Sequence, residues 1–177
     1  MPSSAPSFPK LIEERLSPIM AERSYAKDGT LWRSANDETI LVVGLRRSRD
    51  GRDCAVLLGV CVRQLCNKPR PRLSDCQLVF RFDRAVPSVW RSKALQHAAH
   101  VGDVAADPVR LQHKLDRKWE MLRAALLGHA LPYLEKLASI EECRAEAARE
   151  RIVKFFDPAV RQRVLSLRSA EKRTAAR

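Results

Sequence analysis

The stretch ETILVVGLRRSRDGRDCAVLLGVCVR, residues 38–63, decides the fold. Two runs rich in Val, Leu and Ile, Glu38 to Ser48 and Asp53 to Arg63, flank Arg49, Asp50, Gly51 and Arg52. The Asp-Gly pair suits a tight hairpin, because both residues tolerate the positive φ that such turns demand. The runs therefore predict two antiparallel strands. In the second, Cys54, Val56, Leu58, Val60 and Val62 share one face and Ala55, Leu57, Gly59 and Cys61 the other, since successive strand residues point to opposite sides. Neither face is polar, which is the pattern of an interior strand covered on both sides.

Upstream of the hairpin, Asp28-Gly29 marks a turn within the strand-like segment Ser24 to Ser34, and Trp32 is its apolar anchor. Before it, Leu11, Ile12, Leu16, Ile19 and Met20 form a helical stripe with Pro9 in the first turn, and Pro18 is expected to kink or restart that helix. Downstream, the loop Lys68, Pro69, Arg70, Pro71, Arg72 leads into Gln77 to Asp83. There Leu78, Phe80 and Phe82 alternate with Val79, Arg81 and Asp83, predicting a strand with one buried face and an edge able to pair with another copy.

Pro87 to Asp107 carries no period and reads as irregular. Asp107-Pro108 opens a helix through Leu111, Leu115, Trp119, Leu122 and Leu126, and Gly128 is placed to end it. Ser139 with Glu142 reads as a capping box for a helix reaching about Phe156, and Asp157-Pro158 opens another carrying Val160, Val164 and Leu167. This order, with no βαβ alternation, predicts an α+β fold: an antiparallel sheet of about four meander strands, packed by an N-terminal helix and three or four C-terminal helices. At 177 residues the chain suits one domain over 10–168, between a flexible N-terminus at 1–9 and a basic, frayed tail at 169–177.

Composition bounds the function. No apolar run approaches the roughly 18 residues of a membrane span, and the Ser/Pro-rich start lacks the pattern of a signal peptide, so a cytoplasmic location without membrane contact is expected. The five cysteines, Cys54, Cys61, Cys66, Cys76 and Cys143, are an odd set without CxxC spacing, expected to be reduced thiols buried as small hydrophobes. The net charge of +12 favours an anionic partner, although arginine richness also arises from GC-rich coding DNA. The excess sits in the middle and the tail. Arg46, Arg47, Arg49 and Arg52 on the hairpin, with Lys68, Arg70 and Arg72 on the loop, are the expected binding residues for a partner protein or for phosphate.

Catalytic motifs are missing from the text. The pair His97 and His100, with Cys76 upstream, lacks a second short-spaced pair and does not complete a zinc site; His113 and His129 stand alone. There is no GxSxG elbow, GxGxxG or GxxxxGK[ST], so neither a nucleophile motif nor a phosphate-cradling loop is present, and no cofactor or metal is implied. Glu13-Glu14 and Glu141-Glu142 read as acids near helical first turns.

Leu16 to Ala26, Trp32, Arg33, Val42 to Ser48, Leu57 to Val60, and Leu131, Pro132, Tyr133, Leu134 before Ser139 together resemble the bacterial domain-of-unknown-function family 4304, over about residues 10–155. Where that family often carries Gly-Phe entering the first strand, Ser24-Tyr25 stands here. The resemblance implies the fold, carries no catalytic residues, and suggests a bacterial setting of conflict or immunity. The expected function is a non-enzymatic bacterial binding protein of immunity, antitoxin or defence-accessory type, recognising an acidic partner protein through its basic surface. The alternative is a nucleic-acid-binding module in which the same arginines contact phosphates and Trp32 or Trp90 stacks on bases. An enzyme built from scattered acids and histidines is the least favoured reading.

Overall fold

A computed structural model describes residues 8–47, 54–87, 108–150 and 157–167. Helix α1, Phe8–Glu22, buries Leu11, Ile12, Leu16 and Met20 on one side, the stripe its sequence spells. It does not restart at Pro18. That residue lies inside the helix with its ring exposed to solvent, so only one ladder bond is forfeited, and the Ser17 hydroxyl donates to the Glu13 carbonyl one turn earlier at 2.7 Å. The helix ends on a residue in the left-handed region, Ser24 at φ 62°. Its N–H reaches Ala21 O at 3.0 Å, while Tyr25 N–H reaches back to Met20 O at 2.9 Å. This double closure turns the chain sharply, and Tyr25 buries against the core beside Met20.

Five strands follow in meander order: β1, Ala26–Asp28; β2, Leu31–Ala35; β3, Thr39–Arg47; β4, Cys54–Val62; β5, Leu78–Arg81. Each pairs antiparallel with the next, so spatial order equals chain order. The long β3–β4 ladder runs in register from Thr39 opposite Val62 to Arg47 opposite Cys54, as residues 38–63 predict; the hairpin tip, 48–53, lies outside the described residues. The fifth strand is β1, only three residues long and exposed throughout, too short to show a period. Its turn into β2 uses Gly29 at φ 62°, a conformation that glycine adopts without strain.

β5 is shorter than Gln77 to Asp83. At Phe82–Arg84 the chain tightens into a 3-10 turn, and Asp83, predicted on the outward face, is buried and accepts from Arg81 Nε at 3.0 Å. Phe80 and Phe82 still enter the core.

The described residues beyond 107 are helical. Helix α2, Pro108–Ala125, does not stop at Gly128: the chain continues through one π-helical turn, Leu126–Ala130, into α3, Leu131–Lys136. Gly128 keeps a negative φ, so it forms no left-handed cap, and Leu126, Ala130, Leu131 and Leu134 stay buried across the junction. Helix α4, Ile140–Arg149, starts at the expected cap, with Ser139 Oγ accepting from Glu142 N at 3.2 Å, but only this half of the capping box is present, the Glu142 carboxylate pairing with Lys136 at 3.2 Å; the helix ends at Arg149 and not near Phe156, because Glu150 takes φ 44°. Helix α5, Pro158–Leu165, starts where Asp157 Oδ1 accepts from Ala159 N at 2.8 Å, and buries Val164.

The core lies between the helices and the sheet face bearing Trp32, Val43, Leu45, Val56, Leu58, Val60, Leu78 and Phe80. The opposite face has a smaller cluster, Ile40, Val42 and Cys61, covered by Leu73, Cys66 and Cys76 of the β4–β5 connection. Both faces of β4 are thus covered. Among the described residues no helix is long and apolar enough to cross a membrane.

Candidate binding surface

The β4–β5 connection lies on the sheet because two glycines make room for it. A Cβ on Gly44 would stand 2.7 Å from Leu73 Cδ1, and one on Gly59 would stand 2.9 Å from Cys76 Sγ. The connection folds around a 3-10 turn, Leu73–Asp75, whose Asp75 ties it together: Oδ2 accepts from Arg72 N at 2.8 Å and Oδ1 from Lys68 Nζ at 2.5 Å. The Lys68 ammonium, with the Arg72 N–H, holds the Asp75 carboxyl below the usual carboxylate range, and Asp75 in turn raises Lys68. A further tether comes from the sheet. Arg33 donates Nε to the Pro71 carbonyl at 2.8 Å and Nη1 to Asp28 Oδ2 at 2.8 Å.

These bonds sort the basic residues singled out in the sequence. Strand alternation sends Arg46 and Arg47 to opposite faces. Arg47 turns toward α1 and pairs with Glu13 Oε2 at 3.0 Å, while Glu13 Oε1 holds Lys27 at 3.0 Å. Glu13 is accordingly a mid-helix acid clasping the sheet, and not the first-turn acid its position suggested. Glu141 and Glu142 do occupy the first turn of α4. Lys68 is taken up by Asp75. Arg46 shares the face of Gly44, two residues from the glycine on which Leu73 rests, and Arg70 and Arg72 lie on the connection that carries Leu73. Arg46, Arg70 and Arg72 are exposed and form no ion pair among the described residues. Arg49 and Arg52 lie outside the described residues, as do Trp90, His97 and His100.

The predicted surface is therefore divided: three arginines face outward on the side of the connection, and two cations are neutralised within the fold. Trp32 cannot stack on a base, because it is 0% exposed beneath the helices with Lys27 Nζ 5.8 Å from its ring centroid. Arg33 carries part of the family resemblance but was not among the expected binding residues. An arginine within a strand of mixed polarity carries no signal that it will tether a loop 38 residues later.

Among the described residues no group of three or more His, Cys, Asp or Glu is placed to hold a metal ion. The cysteines divide as well. Cys54, on the helical face of β4, is pushed up to about 11 by burial, and Cys143, donating to Leu137 O at 3.2 Å, is pushed up to about 12 for the same reason. Cys61, Cys66 and Cys76, which look unrelated in the sequence, meet on the connection side of the sheet.

Against known families, the chain matches the one described as Domain of unknown function (DUF4304) over residues 16–136, more than half of its length, and it belongs to that family. No curated protein and no solved structure matches the chain.

Proposed function

We propose, from membership of that family as the premise, that the chain is a non-enzymatic binding protein that grips an acidic face of a partner protein through Arg46, Arg70 and Arg72. In this reading it works in the bacterial cytoplasm as an immunity, antitoxin or defence-accessory component. The observation that supports it is the sorting of charge: Arg47 and Lys68 are answered by Glu13 and Asp75, while Arg46, Arg70 and Arg72 are exposed and form no ion pair among the described residues. A guanidinium presents a planar fork that meets a carboxylate with two parallel N–H···O bonds. The backbone bearing two of the three forks is already held by Asp75 and Arg33, so little backbone ordering cost remains when a partner docks.

The test is affinity purification of the chain from its native host at about 150 mM salt, beside an R46E/R70E/R72E variant with unchanged circular dichroism. A single protein co-purifying in stoichiometric amount with the wild type and lost from the variant is the expected result. Recovery of the chain alone would overturn the reading. Retention of DNA or RNA in filter binding, falling steeply with salt and abolished in the variant, would replace it with the nucleic-acid alternative.

A further inference from the structure

Three of the five cysteines converge beneath the β4–β5 connection. Cys61 projects from β4 and is fully buried, while Cys66 and Cys76 sit on the connection, half-buried, and pack with Cys61 in one small cluster. Cys76 is aimed at the sheet: its Sγ donates to the Arg72 carbonyl at 3.4 Å and occupies the space that the absent side chain of Gly59 leaves open. Cys61 Sγ lies 3.9 Å from the Asp75 carbonyl, next along the chain to Cys76. The other two thiols belong elsewhere: Cys54 is on the opposite face of β4, and Cys143 is buried in α4.

We propose that this cluster is a thiol-oxidation site at which Cys76 and Cys61 form a disulfide that staples the 63–77 connection to strand β4. The oxidant is a low-molecular-weight disulfide. Cys76, which reaches solvent, gives up its proton and its thiolate attacks one sulfur of the small disulfide, forming a mixed disulfide and expelling one small thiolate, which takes up the proton. Cys61 then gives up its proton and attacks Cys76 Sγ, expelling the second small thiolate, which is protonated in turn. Two protein thiols lose two electrons, and the small disulfide becomes two thiols. Proximity explains why this pair reacts: Cys61 and Cys76 pack in the same small cluster, Cys76 aimed at the strand that bears Cys61, and the second step is intramolecular. The bond closes a loop from residue 61 to residue 76, long enough for the cross-link to restrict the unfolded chain appreciably. The inference does not depend on what the arginines bind.

The experiment incubates the folded, full-length chain with excess oxidised glutathione, quenches in acid, unfolds and alkylates it, and maps the peptides by mass spectrometry. The expected result is two alkylatable thiols fewer than the five of the reduced chain, a cross-link joining the Cys61 and Cys76 peptides, and a melting temperature higher by about 5–10 °C. Cys66→Ser retains the cross-link and Cys76→Ser loses it. Full alkylation of all cysteines, persistent glutathione adducts without a cross-link, a Cys61–Cys66 linkage, or loss of the cross-link in Cys66→Ser would each overturn the assignment. The peptide map needs no variant, so the result stands even if Cys76→Ser does not fold.

Discussion

Gly59→Ala tests how the connection is seated on the sheet. The new Cβ would stand 2.9 Å from Cys76 Sγ, 3.0 Å from Leu73 Cδ2 and 3.3 Å from Cys76 Cβ. Leu73 can swing its methyl away. Cys76 cannot retreat so easily, because its Cβ moves only with its backbone, and that backbone is held by its N–H to Leu73 O at 3.2 Å and by the next residue's N–H to Val60 O at 3.1 Å. Overpacking of this kind costs about 1–3 kcal/mol. Alanine regains about 0.5–1 kcal/mol over glycine within a strand, leaving a net loss centred on about 1 kcal/mol. Urea denaturation reads this as a lower midpoint at unchanged slope.

Gly44→Ala supplies the contrast. Its approaches are shorter, 2.6 Å to Leu31 Cδ2 and 2.7 Å to Leu73 Cδ1, yet both end on flexible leucine tips, so it is the cheaper substitution. Adding Cys76→Ala to Gly59→Ala recovers part of the loss, with a coupling of at least about 0.5 kcal/mol. A Gly59→Ala protein as stable as the wild type, or a Gly44→Ala protein less stable than it, would refute the reasoning that the stiffness of the neighbour outweighs its distance.

Gly128→Ala, in the π-helical turn with nothing within 4 Å of the new Cβ and no positive φ, stabilises by up to about 1 kcal/mol in the same assay. Ser139→Ala and Glu38→Ala each remove an acceptor at the start of α4, for Glu142 N at 3.2 Å and Ile140 N at 2.9 Å, and each lowers stability by about 1 kcal/mol in thermal unfolding. Because Asp75 is held below its ordinary range when folded, its contribution to stability is present above the unfolded carboxylate value and is lost as pH falls through the folded one. Carboxyl-carbon NMR should show its depressed titration midpoint moving up in Lys68→Ala; an unmoved midpoint would dissociate the shift from that contact.

What the sequence reveals depends on how local the physics is. The hairpin, the stripe of α1 and the caps at Ser139 and Asp157 involve neighbours in the chain, so period and residue type were enough to find them. Pro18 and Gly128 were misleading for a shared reason: each weakens a helix locally, but burial of Leu16 and Met20 on one helix and of Leu126 and Leu131 on the other keeps the helical path. The binding surface was legible as a set of basic residues. Its division was not, because the pairing of Glu13 with Arg47 and the bond from Arg33 to Pro71 join residues that only the folded sheet brings together. The thiol cluster was hidden likewise, since Cys61, Cys66 and Cys76 share no spacing and meet only once the connection doubles back over β4.

The nearest-neighbour strand order also bears on how the molecule assembles. Every pairing in the sheet closes a short stretch of chain, so the strands can zip one after another at small entropic cost, in the manner of fast-folding topologies. Other contacts span most of the chain. Asn36 Nδ2 and Thr39 Oγ1 both donate to the Ala138 carbonyl at 2.9 Å, and Glu38 caps Ile140, clasping the β2–β3 turn to a segment some hundred residues downstream. A ribosome releases that turn long before its helical partner, so the clasp can close only after all five strands have been made.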